Sequence, residues 1–139
     1  MIHITHQRME KADGLAVVLD AAYAAFEGML SVIYPVQDPA SGLFAVFVMA
    51  AVSAADGRSA LALAPSLPGR PLLAVPAGQQ RWSGEPPEHV AEAVAALSSL
   101  LAERLTQAAA SAADTADQAA CRFAARNALD ICEMLSNEP

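Results

Sequence analysis

The sequence predicts an α+β fold: a long N-terminal helix, a small antiparallel β-meander, and two C-terminal helices forming an antiparallel pair. Three observations carry this. Apolar residues recur at helical spacing over residues 9–33, 87–112 and 115–135. Between the first two of these segments lies Asp56-Gly57, a hairpin-turn pair in which Gly supplies the positive φ that the turn needs. After it, Ser59-Ala60-Leu61-Ala62-Leu63-Ala64 alternates small and large side chains with the period of a strand.

In residues 9–33, Leu15, Val18, Leu19, Ala22, Phe26, Met29, Leu30 and Ile33 share one broad face, with Asp13, Asp20 and Glu27 opposite. Pro35 and the turn-forming Gln37-Asp38-Pro39 end this helix. Residues 43–55 are apolar all round, so periodicity does not decide their state. As a strand they would hairpin through Asp56-Gly57, with Phe44, Val46, Val48 and Val52 on one side. The alternative is an all-α bundle with residues 39–55 as a buried helix, favoured by Ala content and by Asp38-Pro39 as a start signal. Pro65 and Pro68 break the second strand, Leu72 to Val75 form a short third one, and residues 76–87 are loop by composition.

In the helix over 87–112, Val90, Val94, Leu97, Leu101 and Leu105 make a narrow stripe opposite Glu92, Ser99 and Glu103. Pro86 and Pro87 suit its first turn, and Glu88 there complements the helix dipole. In the helix over 115–135, Ala120, Ala124, Ala128, Ile131 and Leu135 line the predicted buried face, and Arg122, Arg126, Asp130 and Glu133 the wet one. Asp114 is the predicted cap, with Asp117 at N3 completing a variant of the capping box. Arg126 and Asp130 are spaced to pair at i,i+4. A very short join makes these two helices antiparallel neighbours. At 139 residues, with no internal repeat, the chain reads as one domain.

Charge is sorted along the chain. No Lys or Arg lies between Lys11 and Arg58, and no Asp or Glu between Asp56 and Glu85. The net charge is −7 and the sequence pI about 4.7, which disfavours nucleic acid and an anionic membrane surface as partners. The start has no apolar run of the kind a signal peptide needs, and the uncharged stretch from Pro39 to Ala55 is too short to span a bilayer. A cytoplasmic location is expected. Hydrophobic residues make up 55% of the chain but aromatics only 5%, and about a quarter of it is Ala. Ala buries little area, so the helices must approach closely, and a lone subunit keeps apolar outer faces that favour a homodimer.

The candidate ligand site is the basic segment: Arg58, Arg70, Arg81, Trp82 beside it, and His89 in the first turn of the next helix. Arg presents a planar fork to carboxylate or phosphate, and Trp an apolar plate. This set could hold a small anionic ligand or support a modest enzyme; the competing reading is solvated or ion-paired arginines and a Trp plugging the core. No catalytic residue, cofactor or metal site is predicted. Nucleophile-elbow, dinucleotide and P-loop patterns are absent. His3 and His6 lack third and fourth metal ligands. Asp13, Asp20 and Glu27 stand about 10 Å apart along a helix and read as a solvated face. Cys121 and Cys132 lie roughly 16 Å apart on one helix, too far to bridge within it, so they read as small core residues or as a link between subunits. The function expected is a non-catalytic interaction module, homodimeric, with a protein partner or a small anion as ligand.

Overall fold

The computed structural model describes residues 2–36, 42–68 and 86–136. Among these the chain forms five α-helices and no strand: α1 (Ile2–Lys11), α2 (Leu15–Ile33), α3 (Phe44–Ala62), α4 (Pro87–Ser111) and α5 (Thr115–Ser136). A single 3-10 turn, Tyr34–Val36, follows α2. The fold is an all-α bundle and not the α+β meander the sequence predicted. α2 packs on α3, α3 on α5, α5 on α4, and α4 back on α2, so four helices close a ring while α1 lies against α2 and α4.

The hairpin expected around Asp56-Gly57 is replaced by the interior of α3, which runs unbroken through both residues. The physical reason is packing. Phe26 of α2 is fully buried, and its ring fills the space that a Cβ on Gly57 would occupy, with Cζ at 2.6 Å from that position. Gly57 is therefore needed for close approach within a helix, not for a left-handed turn. The residues read as a second strand belong to the last turns of α3 and to the bend after it, where Leu63 is exposed and Leu61 buried. The short third strand, Leu72 to Val75, lies outside the described residues.

The N-terminal helix also differs. It is two helices rather than one, parted at Ala12–Gly14, where Gly14 has φ +88°, a conformation open to Gly and strained for other residues. The α1–α2 elbow is then held by a residue far along the chain. Arg104 of α4 donates from Nε to the Met9 carbonyl (3.2 Å) and from Nη2 to those of Glu10 (2.8 Å) and Ala12 (2.7 Å). A guanidinium thus satisfies the exposed carbonyl end of α1 and meets its negative dipole end.

The predicted core faces are present. Val18, Leu19, Ala22, Phe26, Met29, Leu30 and Ile33 are buried in α2, Val90, Val94, Leu97, Leu101 and Leu105 in α4, and Ala120, Ala124, Ala128, Ile131 and Leu135 in α5. All belong to one continuous hydrophobic cluster. Burying a Leu- or Phe-sized side chain contributes roughly 1.5–3 kcal/mol, so these faces account for why the ring closes. Asp114 caps α5 as expected, its Oδ1 accepting from the backbone N–H of Ala116 (2.7 Å) and Asp117 (3.4 Å). Asp117 departs from the capping-box expectation. Its carboxylate turns to the bend after α3, accepting from the Ser66 backbone N–H (3.0 Å, Oδ1) and hydroxyl (2.6 Å, Oδ2).

Candidate functional site

The predicted ligand set is only partly within the described residues. Arg70, Arg81 and Trp82 lie outside them. Arg58 is half-buried near the C-terminal end of α3, and His89 is exposed in the first turn of α4, its backbone N–H donating to the Pro86 carbonyl at 3.0 Å. Arg58 and His89 stand on different helices, and Arg58 sits on a helix flank instead of the hairpin turn expected for it.

Other polar groups are engaged in holding the bundle. Asp117 is 1% exposed, and both of its carboxylate oxygens accept hydrogen bonds from Ser66. A carboxylate so occupied is a latch between the α3 exit and α5, not a free base. Arg104 does not stand out in the sequence, yet its side chain makes three hydrogen bonds to backbone carbonyls at the end of α1. A signal was present: Arg104 has no acid three or four residues away on its own helix, so its partner had to come from elsewhere.

The acidic face predicted for the N-terminal helix is not wholly solvated, and Asp13 falls in the break between α1 and α2. Asp20 pairs with Arg8 of α1 at 3.0 Å, Glu27 is half-buried and Asp13 is exposed. Arg126 and Asp130 form the expected i,i+4 pair at 3.5 Å. His6 Nδ1 lies 3.5 Å from Glu10 Oε1, and no group of three or more His, Cys, Asp or Glu that could hold a metal ion occurs among the described residues. Both cysteines are free thiols; Cys121 is buried and Cys132 half-buried. Burial, and secondarily the nearby Asp117 carboxylate, push the Cys121 thiol up to about 11, so it stays protonated at neutral pH.

One surface stands apart. α3 buries Phe47, Ala50, Ala51, Ala54, Gly57 and Leu61 against its neighbours. On the opposite side, Ala45, Met49, Val52, Asp56, Ser59 and Leu63 recur at intervals of four and three residues and are all exposed. Met49 is 59%, Val52 55% and Leu63 80% exposed. Half-buried Phe44, Val48 and Ala55 flank this stripe. From Phe44 to Ala55 no residue carries a charge. A helix on a protein surface normally turns a polar face to water; over residues 44–55 α3 turns an apolar one.

By length and composition alone, α2 and α3 are both long and apolar enough to cross a membrane, a test that a buried core helix also passes. The uncharged run alone is too short, but α3 continues through Asp56 and Arg58 to Ala62. The apolar window of α2 is 61% buried within the bundle and that of α3 only 33%. No protein-family model, curated protein or solved structure matches the chain.

Proposed function

We propose that this chain is a non-catalytic protein-interaction module whose docking surface is the outer face of α3. The observation that supports it is the exposure of Met49, Val52 and Leu63 on a helix whose other side already holds the core. A largely apolar exposed helix face is what a helix-docking partner covers. A cytoplasmic location goes with this reading. As a membrane span, α2 would carry Asp20 and Glu27 into the bilayer and α3 would carry Asp56 and Arg58. Each such charge costs on the order of 2.5–3.5 kcal/mol at the bilayer centre, whereas the folded bundle leaves them at its surface or paired.

Site-specific photo-cross-linking in expressing cells tests the docking face. A photoreactive residue at position 49 or 52 is expected to form protein adducts, and one at exposed Glu92 on α4 is not. Equal adduct yields at all three positions, or none at 49 and 52, would remove α3 as the docking surface.

A further inference from the structure

We propose that the outer trough between α4 and α5 is a separate docking site whose occupant is an acidic amphipathic helix of another protein; it does not rest on the α3 face. Ala102, Ala109 and Ala125 floor the trough, and Arg122, Arg126 and Leu129 stand along its α5 side. Both arginines are exposed, and Leu129 is 43% exposed.

Shape selects a helix. The trough is open to solvent, whereas a small-molecule site encloses most of its ligand. A channel between two packed helices seats the ridge of a third, and a floor of methyl groups lets that helix come close. An extended peptide gains less here. Both α4 and α5 spend their backbone hydrogen bonds internally, so neither offers an edge for strand addition.

Charge selects the kind of helix. The chain has a net charge of −7, yet the described residues lining the trough include two arginines and no Asp or Glu. Elsewhere Arg8 is paired with Asp20, and Arg104 is taken up by the carbonyls of α1. Arg122 makes no hydrogen bond or ion pair with any of the described residues. Arg126 meets Asp130 at 3.5 Å through Nε alone, which leaves the rest of its fork open to a second carboxylate. An acidic partner is thus repelled by most of this surface and attracted here. The two arginines are four residues apart, about 6 Å along α5, which is the spacing of carboxylates at i and i+4 on an apposed helix.

Fluorescence anisotropy with the full chain tests this. The probe is a stapled helical peptide with leucines along one face and two glutamates four residues apart beside them; its twin carries lysines in place of both glutamates. The unaltered chain should bind the glutamate peptide, and the lysine twin about tenfold more weakly. Arg122→Glu should weaken the glutamate peptide about tenfold and strengthen the twin, and Leu129→Ser should weaken both, with helix content by circular dichroism unchanged. No binding of the glutamate peptide, equal binding of the two peptides, or binding unmoved by Arg122→Glu overturns the proposal. A homodimer in light scattering that Arg122→Glu dissolves gives the trough to a second copy and overturns it too. Flotation with phosphatidylcholine–phosphatidylglycerol vesicles that is lost in the same variant gives it to lipid, with the same result. Photo-cross-linking from position 49 in the Arg122→Glu variant reports on α3 alone, so either surface can fail without the other.

Discussion

The ring of Phe26 rests on the backbone of Gly57, and this contact sets how closely α2 and α3 approach. A Cβ at position 57 would meet three ring carbons at 2.6–3.0 Å. Phe26 is fully buried, so the ring has no free space to swing into. Gly57→Ala is therefore expected to destabilise the chain by roughly 1–3 kcal/mol, although Ala is the better helix former. Combining it with Phe26→Leu should recover part of that loss, because the shorter side chain vacates the contact. Urea unfolding of the two single variants and the double variant measures it; additive losses would contradict the contact.

Arg104 ties the carbonyl end of α1 to α4. Arg104→Ala should cost about 2 kcal/mol, from three lost charge-assisted hydrogen bonds and the lost cation at a helix C-terminus. The loss should be local first: amide exchange in residues 2–12 quickens before that of α5. Arg104→Lys should restore only a fraction, since an ammonium cannot span the three carbonyls as the fork does.

Asp117 and Ser66 form a latch between elements 51 residues apart. Asp117→Ala should cost about 1–3 kcal/mol, because it strands the half-buried Ser66 N–H, and Ser66→Ala about 1 kcal/mol. The double variant should lose less than the sum, with a coupling of about 1 kcal/mol or more in thermal or urea unfolding.

Cys121 gives the chain an alkaline limit. Its thiol is raised from 9.0 to about 11 by burial and by Asp117. The unfolded chain therefore releases this proton first as pH rises, and stability falls with increasing pH. The contribution is fully present below about pH 9 and is lost between 9 and 11, on the order of 2–3 kcal/mol in total. Stability of Cys121→Ala should decline less steeply across that window. At neutral pH a thiol reagent should label Cys132 in the native protein and leave Cys121 unmodified.

Much of this bundle was legible from spacing. The buried faces of α2, α4 and α5 follow from periodicity, because each helix has one apolar and one charged side. α3 has no such contrast: it is apolar on the face toward the core and on the face toward water, so spacing carries no signal there. Asp56-Gly57 then supplied a turn signal whose real cause, the Phe26 ring, belongs to another helix and leaves no local trace. Gly14 leaves the opposite kind of trace: the apolar pattern runs on past it, while its φ of +88° parts α1 from α2. Of the candidate site, His89 stands in the first turn of α4 as expected, whereas Arg58 lies on α3 and not in a turn, because Gly57 belongs to a helix interior. Arg104 and Asp117 bond to partners far away in sequence, Arg104 to backbone carbonyls that every residue possesses.

The alanines at the centre of the ring have a consequence for how this chain tolerates change. Ala22, Ala25, Ala50, Ala54, Ala124 and Ala128 are all 0% exposed, so the helices meet across methyl groups. An added methylene at any of these positions has no room and must push two helices apart. A saturation library should show substitution here to be lopsided, with Ser or Gly surviving more often than Val, Leu or Phe. Such an interior resists growth far more than shrinkage, and it confines sequence drift to the outside of the bundle.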